Sequence, residues 1–198
     1  MTRQMAERAR TQAGQDEVPT GDWLTELLDW LKYILLALLI GLLLVVFVIQ
    51  RNAVIGNSMV PTLHQNDQLL VEKVTKWFGG IDYGDIITIS AKDLPEHEDG
   101  PNIIKRVIGL PGDTIEIRDE QVYRNGEKLD ESYLPSGMTT RVRNLLFEKV
   151  TLQDDEYFVM GDNRDVSLDS RSFGPVSKDH IIGTVLLRFY PFSTFGAP

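Results

Sequence analysis

The sequence predicts a mainly β fold: an antiparallel, sheet- or barrel-like domain carried by one N-terminal transmembrane helix. Three observations predict it. Residues 33–49 contain no charged side chain. Beyond residue 51 the chain breaks into short runs rich in β-branched and aromatic residues, each bounded by Gly, Pro, Asn or Asp turn signals. After the apolar run, no ten-residue stretch repeats its apolar residues at helical spacing.

Composition narrows the function classes. Of 198 residues, 42% are hydrophobic and 25% charged, the balance of a globular chain. The net charge of -9, with no basic tract, argues against a nucleic-acid partner. Cysteine is absent, so disulfides, thiolate zinc sites and cysteine nucleophiles are excluded together.

The polar stretch over residues 1–22 has no apolar periodicity and reads as a flexible tail, with Asp22 placed to cap a helix. Trp23, Leu24, Leu27, Leu28 and Leu31 follow at helical spacing. A helix over residues 23–50 would be roughly 42 Å long, enough to cross the hydrocarbon and one headgroup layer. Trp23, Trp30 and Tyr33 stand where an interfacial aromatic belt would lie. The run ends in Val-Phe-Val-Ile-Gln-Arg without an Ala-x-Ala site, which favours a permanent anchor over a cleaved signal peptide. Arg3, Arg8, Arg10 and Lys32 precede it and Arg51 alone follows, which puts the tail in the cytoplasm and residues 51–198 outside.

Within residues 51–198, strands are expected over residues 68–72, 85–89, 103–108, 114–117, 156–160 and 181–190. Asn125-Gly126 between two short apolar stretches predicts a tight hairpin. Residues 131–147 are polar and irregular, a loop or part of an appended subdomain over about residues 114–155.

The three histidines, His64, His97 and His180, share no metal-ligand spacing, and no zinc or calcium motif occurs, so no metal or other cofactor is expected. No Gly-x-Ser-x-Gly or Ser-x-x-Lys motif is present. Two residues stand out. Ser58 follows Gly-Asn and precedes a proline, in backbone that resists regular structure, although most such serines are turn residues. Lys105 lies on an expected strand whose alternation places it with Ile103 and Val107. Desolvation there would lower its pKa and make it a general base; a snorkelling strand lysine is the plainer alternative.

Four segments together carry a resemblance. Ser58-Met59-Val60-Pro61-Thr62-Leu63, Tyr83-Gly84-Asp85-Ile86, Lys105-Arg106-Val107-Ile108-Gly109-Leu110-Pro111-Gly112-Asp113 and Gly161-Asp162-Asn163-Arg164-Asp165-Val166-Ser167-Leu168-Asp169-Ser170-Arg171 resemble, in order and spacing, the successive boxes of bacterial type I signal peptidases. The resemblance implies a membrane-anchored Ser/Lys peptidase with Ser58 as nucleophile and Lys105 as general base. It further implies that Ser167 orients the lysine through a hydrogen bond and that Asp169 and Arg171 brace the last box as an ion pair. Some family members carry a serine oxyanion donor where this chain has Gly56, so here the oxyanion would rely on backbone N–H groups, above all that of Ser58.

The implied substrates are secretory precursors, cut after an Ala-x-Ala-like site beside the membrane lipid and the secretion translocon. An extended peptide is expected along the edge at Ile103 and Ile104. Val54, Met59, Leu63, Leu69 and Ile104 are the expected walls of shallow apolar pockets that fit alanine. A self-cleaving repressor and a catalytically silent anchored module are alternatives. The anchor and the lack of a DNA-binding domain oppose the first, and the retained Ser58, Lys105 and Ser167 oppose the second.

Overall fold

The computed structural model describes residues 23–92, 94 and 102–198. The expectations for the tail, Asp22 and His97 lie outside the described residues. The chain divides into two compact units between Leu44 and Val45. The helix α1 (Trp23–Phe47) forms the described part of the first as far as Leu44 and carries three residues into the second; its length and apolarity suffice to cross a membrane, and its described side chains are all exposed. It ends at Phe47 rather than at the expected Gln50. The next residues form β1 (Ile49–Ala53), and the Lys73 N–H donates to the Val48 carbonyl, so strand pairing takes over the backbone at that point.

In the second unit the strands follow in chain order as β2 (Gln68–Glu72), β3 (Ile86–Ile89), β4 (Ile103–Gly109), β5 (Thr114–Arg118), β6 (Gln121–Arg124), β7 (Glu127–Lys128), β8 (Lys149–Thr151), β9 (Glu156–Met160), β10 (Val176–Ser177) and β11 (Ile181–Tyr190). Two one-turn helices, α2 (Thr75–Phe78) and α3 (Ser170–Phe173), interrupt them. The main sheet runs β1-β2-β11-β3-β4-β9-β10, and a smaller one runs β7-β6-β5-β8. Every pairing among the described strands is antiparallel, although only β5–β6 and β6–β7 are joined by two-residue turns. Register shifts along β11 and at the end of β4 mark bulges, which bend the main sheet into a curl.

The curl explains why β3 and β4 are apolar on both faces. Ile87, Ile89 and Val107 pack into one cluster with Tyr157, Val159 and Ile181. Ile86 and Ile104 face a second cluster with Met59, Leu63 and Leu69. Ile108 belongs to a third, between the two sheets, with Ile115, Phe158 and Met160. The Asn125-Gly126 turn has φ of 54° and 86°, the pair of positive values a two-residue hairpin needs. The Asn125 side chain accepts from the Thr114 N–H at 2.8 Å and fixes this turn to the start of β5.

Candidate active site

Residues 56–63 leave β1 through Gly56, whose φ of +86° most side chains would resist. Met59 and Leu63 are buried in the second cluster and joined by the Leu63 N–H to Met59 carbonyl bond, which pins the segment on either side of its turn. Ser58 stands immediately before the first of these anchors, Met59. Its carbonyl accepts from the Asn163 N–H at 3.0 Å, and the Asn163 side chain donates to the Asn57 carbonyl at 3.2 Å. The Ser58 N–H donates to no described backbone carbonyl.

Lys105 arrives from β4, on the face it shares with Ile103 and Val107, opposite Ile87 of β3. It is only 3% exposed, and its Nζ lies 2.8 Å from Ser58 Oγ. Burial pushes its pKa down to about 8; the Asp169 and Asp162 carboxylates pull upward against that, while Arg171 adds to the fall. An amine with that pKa is neutral in a useful fraction at neutral pH, and its lone pair is within reach of the serine proton.

The segment from Gly161 to Arg171 holds this pair from below. Asp169 caps α3 and accepts from Arg171 Nε and Nη2, each at 2.8 Å, and from the Gly161 N–H at 3.1 Å. Burial alone would raise the Asp169 carboxyl, but the Arg171 guanidinium and the Gly161 N–H hold it below the usual range. Asp162 receives both Nε and Nη2 of Arg106, at 2.9 and 2.7 Å, and the Thr62 hydroxyl. Arg164 reaches back to the Gly161 carbonyl and forward to Thr140 and Glu131. Three buried arginines are therefore each matched to a buried or part-buried carboxylate, the condition for keeping such charges out of water.

Ser167 departs from expectation. Its hydroxyl is fully buried and makes no hydrogen bond to Lys105; it adjoins the Asp169 carboxylate, which it helps to hold low. Lys105 donates to Ser58 instead. The Ser167 side chain packs against Gly161, where any Cβ would overlap both it and the Ser58 carbonyl.

Ser58 and Lys105 open into a cleft of about 570 Å³, whose walls include Ile55, Asn102, Ile103, Ile104, Asn163, Val166 and Leu168. Of the expected pocket walls, Ile103 and Ile104 line it. Val54, Met59, Leu63 and Leu69 do not: they are 0–4% exposed and sit in one core cluster with Ile104, where Met59 and Leu63 anchor the serine segment against Val54 and the β2 residue Leu69. Ile55, Asn163, Val166 and Leu168 line the cleft beside Ile103 and Ile104. No local pattern marks those four, since loops far apart in sequence bring them together. Arg106 did carry a signal: a cation between two buried isoleucines requires a buried partner. His64 and His180 lie elsewhere, the latter in a separate cavity with Phe47 and Trp77.

A dry amine bonded to a serine hydroxyl, in a cleft beside a sheet edge, can activate that hydroxyl against an extended peptide; the class so defined is a hydrolase built on a curled antiparallel sheet. Residues 27–190 match the family described as signal peptidase, peptidase S26. Signal peptidase I S of Bacillus subtilis (strain 168) is 38% identical over 174 residues, covering 84% of this chain and 91% of that protein. Signal peptidase I U of the same strain is 46% identical over 146 residues, covering 69% and 73%. A crystal structure of a signal peptidase I from Enterococcus faecalis V583 aligns with a TM-score of 0.43 at 33% identity, covering 52% of this chain and 95% of that one. The chain belongs to the signal peptidase, peptidase S26, family.

Proposed function

We propose that this chain is a membrane-anchored serine endopeptidase of the signal peptidase I type, which removes N-terminal signal peptides from secretory precursors. Ser58 is the nucleophile and Lys105 the general base. The observation that carries the reading is the 2.8 Å contact between the buried Lys105 Nζ and Ser58 Oγ at the floor of an open cleft.

The substrate's place follows from the sheet. β9 pairs with β4 only from Arg106 onward, so Ile103, Ile104 and Lys105 have no partner on that side among the described residues. An extended peptide adds there as a strand, with alternate side chains entering the walls formed by Ile55, Ile103 and Ile104. Small residues at the first and third positions before the cut, as in Ala-x-Ala, fit such shallow walls.

Neutral Lys105 then takes the Ser58 proton as Oγ attacks the carbonyl carbon, and the resulting oxyanion accepts from the Ser58 N–H. The protonated amine returns its proton to the leaving nitrogen as the C–N bond breaks. A water, deprotonated by the same amine, releases the signal peptide from the serine ester. Asp169 and Arg171 brace the base, and Ser167 adjoins it. The helix α1 holds the site beside the bilayer, with residues 1–22 on the cytoplasmic side and the peptidase unit outside, where precursors emerge from the translocon.

The test is cleavage of an Ala-x-Ala precursor in detergent by the intact protein, Ser58→Ala and Lys105→Met. The intact protein should cut after the last alanine and both folded variants should be inert. Full activity in Lys105→Met would move the base elsewhere, and an inactive intact protein would favour a silent anchored module.

A further inference from the structure

Residues 131–147 form no part of the mechanism above, yet the structure fastens their end to the catalytic segment. Arg143 Nη2 donates to the carbonyls of Arg164 and Asp165 at 3.3 and 2.6 Å. The Asn144 side chain donates to the Ser172 carbonyl at 3.5 Å, and its Oδ1 caps the one-turn helix Leu145–Phe147 by accepting from the Leu146 N–H. The Phe147 ring lies against Gly174. This fastening leaves two leucines in water: Leu145 is 80% exposed and Leu146 77%. Beside them is a second cavity of about 650 Å³, lined by Arg143, Asn144, Leu145, Leu168 and Ser172. Leu168 also lines the catalytic cleft, so the two spaces adjoin.

The direction of the substrate assigns an occupant. Resting on the peptidase reading, the residues before the cut lie along Ile103 and Ile104 and leave towards a third cavity formed by Arg51, Asn52, Ala53, Ile55, Asn102 and Ile104. The residues after the cut must leave on the other side of Ser58, past Val166 and Leu168. We propose that the second cavity and the Leu145-Leu146 shelf bind the first residues of the mature chain, as an extended segment with an apolar side chain over the leucines. The Ser172 hydroxyl, on the wall of that cavity, offers a polar group to its backbone. The cleavage site would thus be recognised from both sides of the cut.

The test compares two peptides with the same signal sequence, using the full-length protein in detergent and in liposomes. One ends a single residue after the cut; the other continues for about six residues and carries a leucine, long enough in extended form to run about 20 Å beyond Ser58. The intact protein should cleave the longer peptide with the lower KM. The double variant Leu145→Ser/Leu146→Ser, at exposed positions that the fold does not need, should lose on the order of tenfold in kcat/KM on the longer peptide, mostly through KM, and nothing on the shorter. An equal loss on both, or no loss on either, overturns the proposal. A loss confined to liposomes assigns the leucines to lipid and overturns it too. If the intact protein cleaves neither peptide, the peptidase reading itself fails and this inference falls with it.

Discussion

Lys105 is the base of the proposed mechanism, and its burial has a cost. Its pKa, ordinarily 10.5, is pushed down to about 8, so between those values the unfolded chain binds more protons than the folded one. Stability therefore rises with pH across that window, and below about pH 8 the buried ammonium costs roughly 3 kcal/mol. Asp169 is the opposite case: a carboxylate whose lowered pKa stabilises the fold above its unfolded value and is lost as pH falls through the folded one. Asp169→Asn would leave the Arg171 guanidinium buried without its counter-charge. The expected loss is about 3–5 kcal/mol of unfolding free energy, measured by urea titration at neutral pH. A loss under about 1 kcal/mol would mean that water or another group satisfies Arg171.

At the scale of elements, the segment over residues 161–171 ties three distant parts of the chain together, β4 through Arg106, the serine loop through Asn163 and the 131–147 loop through Arg164, while Asp169 caps α3 at its end. Gly161→Ala tests that role. A Cβ there overlaps the Ser58 carbonyl and the Ser167 side chain, so the serine must move from its amine. Since a displacement of about 1 Å can cost 100-fold in rate, kcat should fall about 100-fold while the β-sheet circular dichroism stays native. An unchanged kcat would show that the serine loop is not held from this side.

The same elements show what was legible in the sequence. Strands β2, β3, β4, β5, β9 and β11 follow from β-branched runs between turn residues, and the hairpin from Asn125-Gly126. β1 was hidden because its first residue continues the apolar run of α1, and pairing with β2, not local pattern, ends the helix. β8 and β10, of three and two residues, are too short to show a period. Ser58 and Lys105 stand out by local context, but only the order of the boxes separates them from a turn serine and a snorkelling strand lysine. Val54, Met59, Leu63 and Leu69 are core residues here, and local pattern does not distinguish the two roles, because an apolar residue beside a nucleophile can either line a pocket or anchor the loop. Met59 and Leu63 do the second.

For the whole molecule, the position of β1 decides where the anchor can be removed. A cut after residue 50 would take Ile49 and Gln50 from β1, whereas a cut after Phe47 leaves the strand whole. Protein lacking residues 1–47 should keep its kcat on a short soluble peptide. It should turn over membrane-inserted precursor in liposomes at least 10-fold more slowly, because both partners are no longer held in one surface. Equal rates in liposomes would show that the anchor does not concentrate the site on its substrate.

The central claim is that a buried, neutral Lys105 activates Ser58. It is tested most directly by kcat/KM on a soluble peptide from about pH 6 to about pH 10. A base works only when deprotonated, so activity should climb tenfold per pH unit at the acid end and level off with an apparent pKa of about 8. A limb near about 6.5 would point to a histidine, and a flat profile would leave Lys105 without a part in the proton transfer.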